Sequence, residues 1–262
     1  MKESVSAHNP ASLSGQIVFI LRALATLCVM LLAALLMSLF GVLTLFQLRA
    51  WYAEGLLKRV GQLILAIWQI DVKLHAAEPF SADQQVVYIA NHSSTIDLFV
   101  LIALGLPRTR FFLSGHLRRG VLIGIIGYIV RVFWTVPQTY PEQRRKIFQS
   151  AERVLRKTGE SVFLSPEGAR ITTGQIGPFN KGSFHLAMAL RAPIVPIYIH
   201  IPAAIDPGIG LHARPGCVDV YVMPRIETAH WRMQDLIENK EAVRDLYVQW
   251  QQMQQQRHPD HE

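Results

Sequence analysis

The sequence of 262 residues has few cysteines and few charged side chains. Its two cysteines, Cys28 and Cys217, lie far apart, which argues against a disulfide framework or a thiolate metal site. Charged residues make up 17% of the chain, against the roughly 25% typical of soluble domains. Because 50% of the residues are hydrophobic, the chain can supply one sizeable α/β domain and a membrane segment.

Several catalytic and binding motifs are also missing from the sequence. It contains no Gly-x-Ser-x-Gly elbow and no P-loop. A third ligand at zinc-like spacing from His92 and Asp97 is missing too, so no metal is expected. The net charge of +7 occurs without a zinc-finger, RNP-type or helix-turn-helix signal. This charge therefore favours an anionic membrane surface or a phosphorylated substrate, and no nucleic acid is expected as partner.

The N-terminal region contains one long uncharged apolar segment. Residues 1–15 are polar and small, which is typical of a mobile chain end. Residues 23–46 are almost wholly apolar and long enough to cross a bilayer, but too long for the apolar core of a signal peptide. Arg49, Lys58 and Arg59 follow this segment, and this positive excess predicts that the C-terminal bulk faces the cytoplasm.

A shorter mixed stretch at residues 56–70 has a basic start and an apolar end, and is too short to span a membrane comfortably. Three interpretations remain open. The stretch could lie in the membrane interface, or form an ordinary core helix of the following domain. It could also be the second arm of a hairpin that dips into one leaflet.

From residue 71 onwards, strand-like segments alternate with helical ones. Strands are predicted at residues 72–75, 86–90, 111–113, 133–136, 161–164, 194–201 and 218–222, and helices at 98–104, 142–157, 184–190 and 231–252. The alternation predicts an α/β fold, with a central mostly parallel or mixed sheet flanked by helices. An N-terminal membrane helix or hairpin would precede it. The arginines of the helix at 142–157 are interpreted as a solvated face; they are Arg144, Arg145, Arg153 and Arg156.

The most informative stretch joins a buried strand to a helix start. Apolar residues 86–90 end at Asn91-His92, and Asp97 follows five residues after the histidine. On one helix that spacing would separate the two side chains by about 140°, but a turn before the helix would let them meet. A carboxylate against one ring nitrogen raises the basicity of the other. A catalytic His-Asp pair and an exposed histidine beside a helix-capping aspartate are equally open here.

Two further turns carry residues suited to an anion. Glu167 and Gly168 follow a strand, and Arg170 offers a planar fork for phosphate oxygens, which Glu167 could hold or complement. Lys181 and Gly182 precede a helix start, where backbone N–H groups also favour an anion. Taken alone, the first turn is a weak signal that a surface turn with a local Glu-Arg pair also explains, and the second is better explained as a helix-capping loop.

Taken in order, the four motifs Asn-His-x-x-x-x-Asp, Pro-Glu-Gly-x-Arg, Phe-x-Lys-Gly and Val-Pro-Ile resemble those of the lysophosphatidic-acid acyltransferase family of glycerolipid acyltransferases. The resemblance covers residues 86–228. It implies a membrane-bound enzyme that transfers a fatty acyl group from acyl-coenzyme A or an acyl-carrier-protein thioester to the hydroxyl of a lysophospholipid. The expected acceptor is 1-acylglycerol-3-phosphate and the expected product is phosphatidic acid. The thioester is a co-substrate, and no cofactor is expected.

The resemblance also implies roles for particular residues. His92 would be the catalytic base and Asp97 its orienting partner, while backbone N–H groups near the helix start would stabilise the oxyanion. The implied substrate-binding residues are Glu167, Gly168, Arg170, Lys181 and Gly182. The chain divides into a membrane-anchoring segment (1–70), an acyltransferase domain (71–228) and a C-terminal helix with a polar tail (229–262). The expected location is the inner or cytoplasmic membrane, with the catalytic domain facing the cytoplasm.

Three positions depart from the family pattern. Ser165 and Ala169 replace the usual phenylalanine and threonine around Pro-Glu-Gly, and Gln138 stands about where an arginine usually falls. An acceptor with another headgroup, such as a lyso-aminolipid, is therefore an alternative. A non-catalytic lipid-binding membrane protein and a lipid hydrolase are further alternatives.

Overall fold

The computed structural model describes residues 13–48, 51–206 and 213–257. The predicted mobile end up to residue 12, Arg49, and residues 258–262 of the polar tail lie outside this range. The strands are β1 Ile70–Ala76, β2 Val87–Ala90, β3 Thr109–Ser114, β4 Phe133–Thr135, β5 Ser161–Leu164, β6 Ile194–His200 and β7 Gly216–Val222. The helices are α1 Leu13–Leu43, α2 Leu57–Ile67, α3 Ile96–Leu104, α4 Val121–Ile129, α5 Pro141–Thr158, α6 Gly182–Leu190 and α7 Leu236–Arg257.

The seven strands of the described residues form one sheet in the order β1-β7-β6-β2-β5-β3-β4. Neighbouring strands are parallel except β6 and β7, which run antiparallel. The sheet is therefore mixed and mostly parallel, and the predicted fold class is confirmed. The position of β2 explains its sequence, because a strand between two parallel neighbours with helices on both faces is apolar throughout.

Helices cover the sheet on both faces. On one face, α5, α6 and α7 bury a core against β2 and β5 that includes Leu155, Phe184 and Tyr247. On the other face, α2 and α3 pack against the same strands through Leu65 and Val100. The carboxyl end of β2 therefore lies between two packed layers, and the turn that follows it connects directly to α3.

The long apolar helix α1 differs from its prediction at both ends. The segment able to span a membrane by length and composition is Gly15–Leu43, 29 residues long, and only 22% of its most apolar window is buried in the fold. It starts earlier than residue 23 because a helix can carry Gln16 and Arg22 at its surface near one end. It stops before residue 46 because Leu45 and Phe46 both have positive φ.

Helix α2 packs as a core helix, which was one of the three open interpretations of residues 56–70. Ile64 and Leu65 are buried, and Gly61 lies so close to α3 that a Cβ there would sit 2.9 Å from the backbone nitrogen of Ala103. A one-turn π-helix, Trp51–Leu56, precedes α2. Helices α1 and α2 also touch each other, because the Trp68 indole donates a hydrogen bond to Thr26 Oγ1 (2.9 Å).

The closing helix begins later than residue 231, where the apolar pattern placed it. Met233–Asp235 forms a 3-10 turn instead, and Arg232 pairs with Asp235 (2.8 Å). Helix α7 follows from Leu236. Its Tyr247 hydroxyl donates to the carbonyl of Ile89 in β2 (2.8 Å) and accepts from the N–H of Ile197 in β6 (3.1 Å). This hydroxyl therefore bridges two neighbouring strands just before Asn91.

Candidate active site

His92 and Asp97 meet in the turn between β2 and α3. Nδ1 of His92 lies 2.9 Å from Oδ2 of Asp97. Asp97 is buried in the first turn of α3, whereas the imidazole of His92 is 35% exposed. The pairing uses Nδ1, so it leaves Nε2, which contacts no hydrogen-bonding partner among the described residues, as the nitrogen able to accept a proton.

Asp97 pairs with His92 and does not cap α3, because the N–H groups that its Oδ2 accepts precede the helix. Besides contacting His92, Oδ2 accepts the backbone N–H groups of Ser93 (2.8 Å) and Ser94 (2.9 Å). The N–H of Ile96 donates to Ser94 Oγ (2.9 Å). These N–H groups are therefore committed to side chains, and the expectation that N–H groups near the helix start stabilise the oxyanion is wrong for these three.

Side chains on both sides of His92 hold residues 91–97, which we call the catalytic turn. Asn91 continues the sheet beyond β2, since its amide donates to the carbonyl of Ile199 (2.9 Å) and accepts the N–H of the same residue (2.8 Å). The hydroxyl of Ser94 donates to the carboxylate of Asp206. With its oxygen engaged in this way, Ser94 serves as a structural residue rather than a nucleophile.

Glu167 supports the catalytic turn from the end of β5. Its Oε2 accepts the N–H of His92 (2.6 Å) and its Oε1 accepts the N–H of Gly177 (2.8 Å). Burial raises the pKa of this carboxyl, and the two N–H groups oppose the rise. Both oxygens bind backbone, so the observed contacts are those of a positioning residue, and a direct contact with substrate stays a prediction.

The suggested pair between Glu167 and Arg170 does not form. Arg170 instead donates from Nη1 to the hydroxyl of Thr95 (2.6 Å) and lies exposed beside the catalytic turn. The left-handed backbone of Gly168, with φ of +68°, turns the chain between the two side chains. Arg170 therefore reaches the cavity while Glu167 points inward.

Asn180 holds the turn at Gly168, a role that was not predicted from the sequence. Its Nδ2 donates to the carbonyls of Glu167 (2.8 Å) and Pro166 (3.1 Å), and its N–H donates to Pro166 (2.7 Å). A Cβ at Gly168 would lie 2.8 Å from that Nδ2. Only the closeness of Asn180 to the Lys-Gly motif in sequence could have suggested this role.

A cavity of about 560 Å³ opens onto the catalytic pair. His92, Asp97, Gly168 and Arg170 line its polar side. Apolar residues line much of the remainder; they include Leu98, Leu101, Phe112, Leu117 and Phe163. A base, a cation and an apolar wall in one cavity suit a substrate with a charged head and a hydrocarbon tail. We call this space the catalytic cavity.

Lys181 and Gly182 are not part of the catalytic cavity. They line a neighbouring cavity of about 630 Å³, which shares Gln138, Arg144 and Phe148 with the first. Gly182 allows close packing, because a Cβ there would lie 2.8 Å from the ring of Phe148. The structure therefore brings together His92, Asp97, Glu167, Gly168 and Arg170, and separates Lys181 and Gly182 from them.

Arg144 corrects the interpretation of the α5 arginines as a solvated face. Its Nη1 donates to the carbonyl of Val136 (2.8 Å), and it lines both cavities. Burial lowers its pKa. Arg145, Arg153 and Arg156 are exposed as expected. The helical pattern of α5 does not reveal this contact, because the partner of Arg144 lies in the loop after β4.

A metal site would require a cluster of side chains that could ligate an ion. The described part of the chain contains no group of three or more His, Cys, Asp or Glu residues able to hold an ion.

Known proteins resemble this chain in sequence. A family model described as acyltransferase matches residues 71–200. The 1-acyl-sn-glycerol-3-phosphate acyltransferase of Limnanthes douglasii is 26% identical over 189 residues, which are 72% of this chain and 66% of that protein. The protein of the same name from Saccharomyces cerevisiae is 28% identical over 225 residues, covering 82% of this chain and 69% of the relative. Residues 71–200 of this chain therefore resemble the acyltransferase family.

The chain spans only part of the length of the relatives that it matches in sequence. The chloroplastic relative BAT2 of Brassica napus, named 1-acyl-sn-glycerol-3-phosphate acyltransferase, is 35% identical over 120 residues, and the match spans 45% of this chain and 33% of that one. Coverage is broader in structure. The crystal structure of the 1-acyl-sn-glycerophosphate (LPA) acyltransferase PlsC from Thermotoga maritima aligns with a TM-score of 0.62 at 18% identity, over 87% of this chain and 96% of that one. This agreement shows that the chain shares the fold of that structure.

Two departures from the acyltransferase family pattern line the catalytic cavity itself. Gln138 and Ala169 both face this space, so the missing arginine and threonine would have been in reach of a substrate. The third departure, Ser165, lies at the base of the cavity with its hydroxyl buried and unpaired among the described atoms. The differences are therefore in positions that can alter which acceptor is bound.

Proposed function

We propose that this chain transfers a fatty acyl group from an acyl thioester to the free hydroxyl of a lysophospholipid, with 1-acylglycerol-3-phosphate as acceptor and phosphatidic acid as product. The observation that carries the proposal is the His92–Asp97 pair, 2.9 Å apart, at the head of a cavity with an apolar wall and Arg170. The names of the relatives in the acyltransferase family support the choice of acceptor.

In the proposed reaction His92 acts as the general base. Its Nε2 removes the proton of the acceptor hydroxyl as that oxygen attacks the thioester carbonyl. The C–S bond then breaks, and the leaving thiolate takes the proton back from His92. The carboxylate of Asp97 holds the ring orientation and stabilises the imidazolium that forms between these steps.

The acceptor is held through its phosphate. Its reacting hydroxyl and its phosphate ester are on adjacent carbons, so the phosphate must lie close to His92. Arg170 lines the same cavity and is anchored through Nη1 on Thr95 (2.6 Å), which leaves its other N–H groups for phosphate oxygens. Fixing the hydroxyl beside the base in this way supplies the proximity that a two-substrate reaction needs.

We further infer that the chain acts at a membrane with its catalytic domain on the cytoplasmic side. Along α1, leucines such as Leu35 and Leu43 are exposed. Helix α4 packs against α1 and exposes Val121 and Tyr128, and Leu117, just before α4, lines the catalytic cavity. A lipid acceptor could therefore pass from a bilayer to His92 along an apolar surface. The positive residues after α1 support the cytoplasmic orientation.

The test is acyl transfer from a labelled thioester to lysophosphatidate, with wild type and the His92→Ala variant. We expect the variant to lose about 10²–10⁴-fold in rate, the contribution of a positioned base. His116→Ala is the matched control, because His116 is exposed and is not among the residues lining the catalytic cavity. Equal rates for wild type and His92→Ala would refute the mechanism. Release of free fatty acid without acceptor would identify a hydrolase instead.

A second acceptor is favoured by one observation, namely that Gln138 and Ala169 line the catalytic cavity. A neutral amide in place of a guanidinium suits a headgroup with less negative charge than a phosphate monoester. A panel of lysolipid acceptors, with products identified by mass spectrometry, separates the two. Selectivity for a lyso-aminolipid over lysophosphatidate would favour this second candidate.

A further inference from the structure

A second cavity adjoins the catalytic one and differs from it in character. This cavity, which we call the basic annex, has a volume of about 630 Å³ and lies along one side of α5 and the first turn of α6. Arg144 and Phe148 form a wall common to both cavities, and Gln138 lies at the same boundary. Neither His92 nor Arg170 lines the annex, so it is a separate space that communicates with the site of reaction.

The annex carries an excess of positive charge. Arg144, Arg145 and Lys181 line it, and Glu152 is the one carboxylate among its lining residues. Glu152 is already paired with Arg156 (2.9 Å). Arg145 is paired with a glutamate of its own helix, but Arg144 and Lys181 have no carboxylate within ion-pair distance among the described residues. Two cations therefore face this space uncompensated.

The start of α6 adds to this charge. Lys181 occupies the position before the helix, and no side chain caps the first turn among the residues described. The unpaired N–H groups of a helix start and the helix dipole both favour an anion. The surroundings of His185 agree, since its pKa is lowered first by burial and then by the charge of Lys181. The annex therefore has the chemistry of a phosphate site.

The two substrates of the proposed reaction carry phosphate at different distances from the reacting atoms. In the acceptor, phosphate and hydroxyl are on adjacent carbons, so this phosphate belongs in the catalytic cavity with His92 and Arg170. In the donor, the whole pantetheine arm separates the phosphate from the thioester. A phosphate bound in a neighbouring space that shares a wall with the catalytic cavity matches the donor and not the acceptor.

We propose that the basic annex binds the phosphate of the donor's phosphopantetheine arm, with Lys181 and Arg144 as its cations. The inference rests on the proposed acyl transfer and deepens it. It gives Lys181, which the family resemblance implied only as a substrate-binding residue, a particular ligand in the donor phosphate. The arm would run from the annex along Phe148, whose ring packs against Gly182, and present the thioester to the hydroxyl activated by His92.

The experiment pairs a change in the protein with a change in the donor. Initial rates are measured with acyl-phosphopantetheine and with acyl-pantetheine, which lacks the phosphate, for wild type and Lys181→Ala. In wild type we expect the phosphate to raise kcat/KM, and in Lys181→Ala we expect this advantage to fall about tenfold, the effect of one charge-assisted contact. Rates with acyl-pantetheine and the KM for the acceptor should not change.

Arg153→Ala is the matched control, because it removes the same charge from an exposed position of α5 that is not among the annex-lining residues. It should leave the advantage of the phosphate intact. An unchanged advantage in Lys181→Ala would overturn the proposal. So would a rise in the KM for lysophosphatidate in that variant, which would return Lys181 to the acceptor.

Two further measurements identify the source of the phosphate and separate the proposals. Acyl-coenzyme A and acyl-carrier protein carry the same phosphopantetheine, so Lys181→Ala should raise the KM for both. A rise for acyl-coenzyme A alone would point to its nucleotide phosphates and overturn the assignment.

Calorimetric binding of phosphopantetheine to the full chain needs no turnover. Lys181-dependent binding without acyl transfer would refute the proposed function yet retain the annex as a phosphate site.

Discussion

The catalytic turn and the basic annex are close neighbours that treat their polar side chains in opposite ways. In the turn, one oxygen of Asp97 contacts His92 and two backbone N–H groups, and Asn91 bonds both backbone groups of Ile199. In the annex, Lys181 and Arg144 face open space without a carboxylate partner among the described residues. The turn pairs the groups that orient His92 within the protein, although Asp97 Oδ1 has no partner among the described atoms, whereas the cations of the annex are left for a ligand to pair.

The difference fits the roles that we propose for the two regions. A general base works only if its ring is held in one orientation before the substrate arrives, so its partners are buried and fixed. A phosphate site works through charge that stays uncompensated until the ligand enters. Substitutions in the turn should therefore affect both activity and stability, whereas substitutions in the annex should affect substrate use alone.

The largest expected effect is on catalysis by Asp97→Asn. An asparagine keeps the size of the side chain and one oxygen for the N–H groups of Ser93 and Ser94, but it loses the charge that supports the His92 imidazolium. We expect kcat to fall about 10²–10⁴-fold while the free energy of unfolding falls by only about 1–2 kcal/mol. Steady-state kinetics and chemical denaturation measure the two effects.

A second His-Asp pair in the fold provides the matched control for this variant. His75 and Asp219 lie 2.7 Å apart at the far edge of the sheet, and neither lines the catalytic cavity. Asp219→Asn should therefore leave kcat unchanged. Activity within about tenfold of wild type in Asp97→Asn would show that Asp97 only holds the N–H groups of Ser93 and Ser94 and is not the partner of a base.

An intermediate effect, on stability, is expected for Glu167→Ala. The change leaves the buried N–H groups of His92 and Gly177 without their acceptor. We expect the free energy of unfolding to fall by about 2–4 kcal/mol, measured by denaturant titration in mildly acid buffer. The exposed Glu227→Ala should change it by less than about 0.5 kcal/mol. A loss as small as that in Glu167→Ala would show that Glu167 does not hold the turn.

The pH dependence of stability in wild type and Glu167→Ala gives a further test. Burial raises the pKa of Glu167 above its ordinary value of 4.5. Between pH 4.5 and the raised pKa, the folded chain therefore holds a proton that the unfolded chain releases. The contribution of Glu167 is therefore fully present below pH 4.5 and is partly lost as the pH rises through the raised pKa. The stability gap between wild type and Glu167→Ala should narrow with rising pH, and a widening gap would contradict this.

The smallest expected effect is that of Lys181→Met on stability. Lys181 is exposed and has no ion-pair partner among the described residues, so its removal breaks no contact that holds the fold. We expect the free energy of unfolding to change by less than about 0.5 kcal/mol, in the same denaturant titration. A loss above about 2 kcal/mol would mean that Lys181 is structural and would remove the contrast between turn and annex.

The features predicted from sequence are those coded by neighbouring residues. The apolar run of β2, the His92 turn and the start of α3 lie within a dozen positions, so strand and helix patterns were sufficient to bring His92 and Asp97 together. The strands and their flanking helices were predicted for the same reason. Family motifs added the assignment of roles, because spacing alone left the His-Asp pair and the helix cap equally open.

The features that were missed depend on contacts between distant segments. Asn180 braces Glu167 and Pro166, and Tyr247 bridges two strands, yet nothing in the local pattern of either residue signals a partner far away in the chain. Arg144 looked like any helix-surface arginine, because its acceptor is a carbonyl of the preceding loop. Lys181 and Arg170 each lie in a short motif suited to an anion. Only the folded structure shows that they line different cavities.

The hydroxyl of Tyr247, which lies between Ile89 of β2 and Ile197 of β6, bears on the order in which the chain assembles. β2 emerges early in synthesis, but its neighbours β5 and β6 and the bridging helix α7 come much later. During this interval α1 is already available to a membrane. β5 and β6 can therefore pair with β2 before α7 is made, and only the bridge from Tyr247 must wait until translation has passed that residue. The strand that leads into His92 thus gains its last bridging contact only when α7 docks.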